Sequence, residues 1–137
     1  MQIKNFIVST NGPGLYEITS QIAQWVNGDG LLTLLIKHTS ASLLIQENAD
    51  PEVKFDFTQF LERLVPPSSS PEMSYLTHTY EGPDDMPGHI KSGLLPTTLS
   101  IPIENGKMTL GTWQGIYLVE HRLSARRREI TACLLLT

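Results

Sequence analysis

The sequence predicts an α+β fold, a mixed or antiparallel β-sheet with two or three helices. Three observations predict it. Strand-like segments crowd the C-terminal third, which a regular βαβ alternation would not give. Two upstream segments carry apolar residues at helical spacing. Asn105-Gly106 lies between two apolar runs, the signature of a tight hairpin, because both residues tolerate the positive φ of a type I′ turn.

Taken in order, Ile3 to Ser9 reads as a strand and Asn11-Gly12-Pro13-Gly14 as a turn. Ile18, Ile22, Trp25 and Val26 then fall on one face of a helix, ended by Gly28-Asp29-Gly30 as a glycine cap. Leu31 to His38 is apolar on both faces, so it is expected to be a central strand, and Ser40 to Gln46 is a further extended piece. Asp50-Pro51 opens a second helix, Asp as N-cap and Pro in the first turn, with Val53, Phe57, Phe60, Leu61 and Leu64 as its inner face. Pro66 to Pro71 is a loop, since its prolines fix φ and remove backbone donors. A short helix follows Met86-Pro87, with Ile90 and Leu94 on its apolar stripe and His89 off it. Leu99 to Ile103 and Met108 to Thr112 form the hairpin, and Ile116 to Arg122 and Glu129 to Leu136 complete the strands.

At 137 residues the chain fits one domain, residues 1–137. Apolar residues at 40% and charged residues at 18% exclude a disordered chain. A net charge of −4 gives no footprint for nucleic acid. The one dense basic run, Arg126-Arg127-Arg128, reads either as a solvated turn or as an anion-facing edge. A single cysteine, Cys133 in an apolar run, allows no internal disulfide and fits a reducing, cytoplasmic setting. The N-terminus does not read as a signal peptide, and no segment approaches the ~20 apolar residues of a membrane helix, so no membrane partner is expected.

Three polar stretches carry the candidate chemistry. In His38-Thr39-Ser40-Ala41-Ser42, followed by Glu47-Asn48-Ala49-Asp50, hydroxyls beside an imidazole suit an anion; the alternative is local capping. His78 to Lys91 holds two histidines, Glu81, Asp84, Asp85 and Lys91. Its histidines are too far apart for a helical HxxxH pair, yet a loop can fold both onto one ion. Imidazoles suit a borderline cation such as Zn²⁺, and carboxylates a harder one such as Mg²⁺. An acidic surface loop is the alternative. In Gly111 to Arg122, Trp113 suits stacking and Arg122 an anion clamp. The alternative there is a core Trp113 with Glu120 and Arg122 paired across strands. Alternation puts His121 on the opposite face from Glu120. Walker, GxGxxG, CxxC and GxSxG motifs are absent, which removes the main support for common nucleotide, redox and serine-hydrolase readings.

Together, His38 to Ser42 with Glu47-Asn48-Ala49-Asp50-Pro51, then Glu81 to Ser92, then Gly111-Thr112-Trp113-Gln114-Gly115 with Glu120-His121-Arg122, resemble the YjbQ family from about residue 3 to the C-terminus. The resemblance implies a compact α+β fold assembled as a homotrimer, with metal and anions bound near the histidines. It also implies a secondary thiamine-phosphate synthase activity, joining hydroxymethylpyrimidine diphosphate to thiazole phosphate with release of pyrophosphate. Gly88 stands where the family often has alanine, and Pro96 where it has glycine; neither removes a candidate ligand.

On this reading His38, His78 and His89 hold a divalent metal, Zn²⁺ or Mg²⁺, with His121 the rival third ligand. Thr39, Ser40, Lys91 and Arg122 contact phosphate. Glu47 or Asp85 serves as base or supporting carboxylate, and Trp113 with Gln114 binds the ligand. So small a chain is expected to complete its pocket with a neighbouring subunit. Two other classes fit the same residues: a metal-dependent hydrolase of phosphate esters or lactones, and a non-enzymatic trimeric binding protein for a small anion.

Overall fold

A computed structural model describes residues 1–137. The strands are β1 (Gln2–Asn11), β2 (Gly14–Glu17), β3 (Gly30–Ile36), β4 (Ala41–Glu47), β5 (Thr98–Glu104), β6 (Lys107–Met108), β7 (Gln114–Glu120) and β8 (Ala125–Leu136). The helices are α1 (Thr19–Ala23), α2 (Pro51–Leu64) and α3 (Asp85–Leu94), with a 3₁₀ turn at Pro71–Met73. No helix is long and apolar enough to cross a membrane.

The fold is α+β, and its strands form two antiparallel sheets instead of one. The larger has the order β1-β8-β3-β5-β6 and the smaller β2-β7-β4. Their inner faces share one core: Leu32, Leu34, Ile130 and Leu134 from the first meet Leu43, Ile116 and Leu118 from the second, with Ile18 and Ile22 of the α1 segment. Tyr117 and Val119 are buried on the other face of β7, toward the helices: the Lys54 ammonium of α2 lies over the Tyr117 ring at 5.8 Å. The small sheet is therefore the middle layer, and β7 is buried on both faces.

Local chemistry explains most elements. Asp50 accepts from the Glu52 backbone N–H at 2.9 Å and caps α2, with Pro51 in its first turn. Asn105 and Gly106 take φ of 52° and 76°, so the expected I′ turn joins β5 to β6, but the second strand is only Lys107–Met108 and not the expected Met108 to Thr112.

Four expectations need correction. The first helix ends at Ala23, and Trp25 and Val26 pack from the turn beyond it; the residues before it form β2, of which only Gly14 falls in the expected turn. On α2 only Leu61 is buried, while Phe60 and Leu64 are exposed. On α3 the inner face is Gly88, Lys91 and Ser92, and Leu94 is exposed. β3 is central, between β8 and β5, but Leu31 and Leu35 point outward and stay exposed. With Ile3, Ile7 and Leu135 they leave the outer face of the large sheet apolar and bare.

Candidate metal centre

The centre forms where α3 begins. Arg122, just past the end of β7, holds this segment with all three guanidinium nitrogens. Its Nε donates to Asp84 Oδ2 at 2.9 Å, its Nη1 to Asp85 Oδ1 at 2.8 Å, and its Nη2 to the Glu81 carbonyl at 3.3 Å. A planar fork suits two neighbouring carboxylates in this way. Asp84 also accepts from the Leu123 backbone N–H at 2.9 Å. Burial pushes the Asp84 carboxyl up, but the bonds from Leu123 and Arg122 outweigh it and hold the group below its ordinary value.

With Oδ1 tied to Arg122, Asp85 presents Oδ2 to two imidazoles: His78 Nε2 at 2.9 Å and His89 Nε2 at 3.4 Å. The donor atoms of His78, Asp85 and His89 all lie within 4.8 Å of one another. His89 Nδ1 donates to the Thr39 carbonyl at 2.9 Å. That bond leaves Nε2 facing Asp85 Oδ2, a gap that a proton or a divalent cation can bridge. Asp85 is 3% exposed while the two imidazoles are about one-third exposed, so the set has a fixed floor and an open mouth. Close packing lets α3 approach: a Cβ on Gly88 would meet Arg122, His121 and Ser40 at 3.5–3.6 Å, ordinary contact, so alanine fits there too.

Two imidazoles and one carboxylate suit a borderline divalent ion such as Zn²⁺ better than Mg²⁺, which takes an all-oxygen shell. The surroundings agree in sign. Asp84, Asp85 and Glu81 face the single cation Arg122, so the site favours positive charge.

The other expected residues lie elsewhere. His38 accepts the Glu129 backbone N–H on Nε2 at 2.9 Å and stands outside the cluster. Burial, then the charge of Arg128, hold its pKa below 6.5. It lines an open cleft of about 550 Å³ with Thr39, Ser40, Thr97 and Arg128. His121 is no third ligand. It is 2% exposed, with Nε2 on Ser42 Oγ at 2.8 Å. Burial, then the charge of Lys91, push its pKa down to about 4.

The expected phosphate contacts are already paired. Lys91, 3% exposed, donates to Glu62 at 2.7 Å and ties α3 to α2. Ser40 Oγ accepts from Arg128 at 2.9 Å. Arg122 is a strut for two aspartates, not an anion clamp. Thr39 is exposed and serves the centre through its carbonyl.

Glu47, Trp113 and Gln114 lie at the far end of the small sheet. Glu47 pairs with Gln114, whereas Ala41, at the α3 end, pairs with Glu120. A strand rises about 3.3 Å per residue, so the two ends of β4 are roughly 20 Å apart. Trp113 is 63% exposed and not core. Within one chain Thr39, the His78–His89 segment and Arg122 meet at the centre, while Glu47, Trp113 and Gln114 do not reach it.

Two interactions escaped the sequence reading. Arg128, taken as part of a turn or edge, lies in β8 and is 4% exposed. It donates to Glu120 through Nε at 2.8 Å and Nη2 at 2.5 Å, with Thr10 Oγ1 completing the site at 2.5 Å. Glu120 and His121 do face opposite sides as alternation requires, but Glu120 pairs with Arg128 and not with Arg122. Glu81, one of the three carboxylates of this stretch but not singled out among them, has Oε2 2.9 Å from His78 Nε2. Only the spacing of His78, Glu81 and Asp85 in one short loop hinted at it.

Comparison with known proteins gives a consistent picture. A family model described as UPF0047 protein YjbQ-like matches residues 4–135. The UPF0047 protein YjbQ of Escherichia coli O157:H7 is 48% identical over 86% of this chain and 83% of its own length. UPF0047 protein sll1880 of Synechocystis is 44% identical over 90% of this chain and 84% of its own. Among solved structures, a conserved hypothetical protein of Thermus thermophilus superposes with a TM-score of 0.83 at 32% identity, covering 96% of this chain and 99% of that one.

Proposed function

The chain belongs to the YjbQ-like UPF0047 family, and from that premise we propose that it is a divalent-metal-dependent enzyme acting on a small phosphorylated molecule. One observation carries the reading. His78, Asp85 and His89 converge: with Asp85 Oδ1 tied to Arg122 and His89 Nδ1 tied to Thr39, Asp85 Oδ2 and His89 Nε2 are turned toward each other and toward His78 Nε2. Metal-binding imidazoles and carboxylates are held in this way by the groups behind them.

The named reaction is the secondary thiamine-phosphate synthesis that the resemblance implies. The thiazole nitrogen forms a bond to the pyrimidine methylene carbon. The carbon–oxygen bond to the diphosphate breaks, and its electron pair leaves with pyrophosphate. When bound, a Zn²⁺-like ion supplies positive charge where negative charge develops on that leaving group. Nearby cations are neutralised by Glu62, Asp84, Asp85 and Glu120, so an anion is drawn here by the ion and not by bare side chains. Asp85 and the histidines orient it; Arg122 keeps Asp85 in place.

The trimer belongs to the same proposal. Ile3, Ile7, Leu31, Leu35 and Leu135 make a bare apolar face, and further copies of the chain would cover it. Association would also let Glu47, Trp113 and Gln114 of one copy approach the centre of another.

The test is turnover by Zn²⁺-loaded protein of the two precursors, alongside a panel of phosphate esters and lactones. Equimolar thiamine phosphate and pyrophosphate are expected, both lost on chelation and in Asp85→Ala. Hydrolysis of an ester or lactone with no coupling of the precursors would overturn the named reaction in favour of a hydrolase. Binding of the precursors without turnover of anything would point to a binding protein.

A further inference from the structure

We infer that Glu81 is the fourth protein donor of the metal centre, a role that rests on the metal reading above. His78 Nε2 has two carboxylates at the same distance: Asp85 Oδ2 and Glu81 Oε2, each at 2.9 Å. The hydrogen bond runs to Asp85. Glu81 therefore stands beside the imidazole nitrogen without taking up its bonding capacity, on the open side of the cluster.

The backbone explains the placement. The Glu81 carbonyl is fixed by Arg122 Nη2 at 3.3 Å, so the guanidinium that aims Asp85 also anchors the main chain of Glu81. Gly82 follows with φ of +108°, a conformation that L side chains rarely adopt, and a Cβ there would come within 3.0 Å of Asp84 Oδ1. The Glu81 carboxylate touches His78 but lies outside the set of donor atoms within 4.8 Å of one another, so its exposed side chain has to swing in to join them. The Glu81 carboxylate has no salt-bridge partner other than His78, and its side chain is 54% exposed. Asp84, the other nearby carboxylate, is committed to Arg122 and Leu123.

Two donors held from behind, Asp85 by Arg122 and His89 by Thr39, with His78 and an exposed Glu81 beside them, suit a Zn²⁺ site that must open a position for a ligand. With an ion bound, Glu81 would complete the shell and be the donor that a phosphoryl oxygen displaces. Asp85 is nearly buried behind it and stays.

Cobalt substitution tests this without turnover. Co²⁺ is added to wild-type, Glu81→Ala and His89→Ala proteins, and affinity is read by competition with a chromophoric chelator alongside the visible absorption of the bound ion. Glu81 is exposed, so its variant should melt like wild type when metal-free. The expected result is a loss of affinity on the order of tenfold or more in Glu81→Ala, with a changed visible spectrum as solvent replaces the carboxylate, and loss of the site in His89→Ala. Wild-type affinity and spectrum in Glu81→Ala, with His89→Ala empty, would overturn the inference and leave the centre standing. A wild-type protein that takes up no cobalt would overturn both.

Discussion

Arg122 Nη1 meets Asp85 Oδ1 at 2.8 Å, and this contact decides which carboxylate oxygen faces the histidines. The same guanidinium fixes Asp84 and the Glu81 carbonyl. A residue of one strand end thus shapes a centre made by a loop and the first turn of a helix.

Arg122→Gln keeps a hydrogen-bonding side chain but loses the charge and the fork. Metal affinity should fall by about 10–100-fold, the usual cost of losing a partner behind a ligand, measured by chelator competition. Unchanged affinity would mean that Asp85 is aimed by other contacts.

How much of this was legible depended on range. The Asp50 cap and the Asn105-Gly106 turn are local chemistry, and both are where the sequence put them. His78 and His89 are legible as metal candidates, and Asp85 as a carboxylate beside them, because all three share one short stretch. Arg122 reads as an anion clamp from the sequence, and its pairing with Asp84 and Asp85 is not legible there, because these partners lie about 40 residues away and a guanidinium suits phosphate as well as aspartate. Arg128 was hidden for a similar reason: an Arg-Arg-Arg run looks solvated until the strand that buries every second residue is placed against β7. His38 looked like His78 and His89, and only the register of β3 with β8 shows its nitrogen used by a backbone donor.

The buried Glu120–Arg128 pair should dominate stability at this end of the core. Arg128→Ala leaves Glu120, 1% exposed, without its counter-ion, at a cost of about 3–5 kcal/mol. Burial pushes the Glu120 carboxyl up, but bonds from Arg128 and Thr10 outweigh it and hold it below 4.5. A depressed carboxyl contributes stability above its unfolded value and loses it as pH falls through the folded one. Urea unfolding of metal-free protein should show the largest difference between wild type and Arg128→Ala near neutral pH, shrinking with acid. A difference below about 1 kcal/mol at pH 7 would contradict the assignment.

His121 should act as an acid fuse. The folded chain holds it at about 4 against 6.5 unfolded, so the unfolded chain binds its proton first as pH falls. Its contribution is complete above pH 6.5 and declines toward pH 4, by roughly 3 kcal/mol in total. His121→Gln, which can still reach Ser42, should flatten this limb in urea titrations of metal-free protein at pH 7 and 4.5. Parallel losses in both proteins would show that His121 is not responsible.

The central claim is a metal centre at His78, Asp85 and His89. The most direct measurement is a crystal structure of zinc-supplied protein with anomalous data on both sides of the zinc absorption edge. The account predicts one anomalous peak per chain, bonded to His78 Nε2, Asp85 Oδ2 and His89 Nε2, and none at His38 or His121. Zinc-supplied crystals with no peak at that cluster, or with the ion on His38 instead, would contradict it.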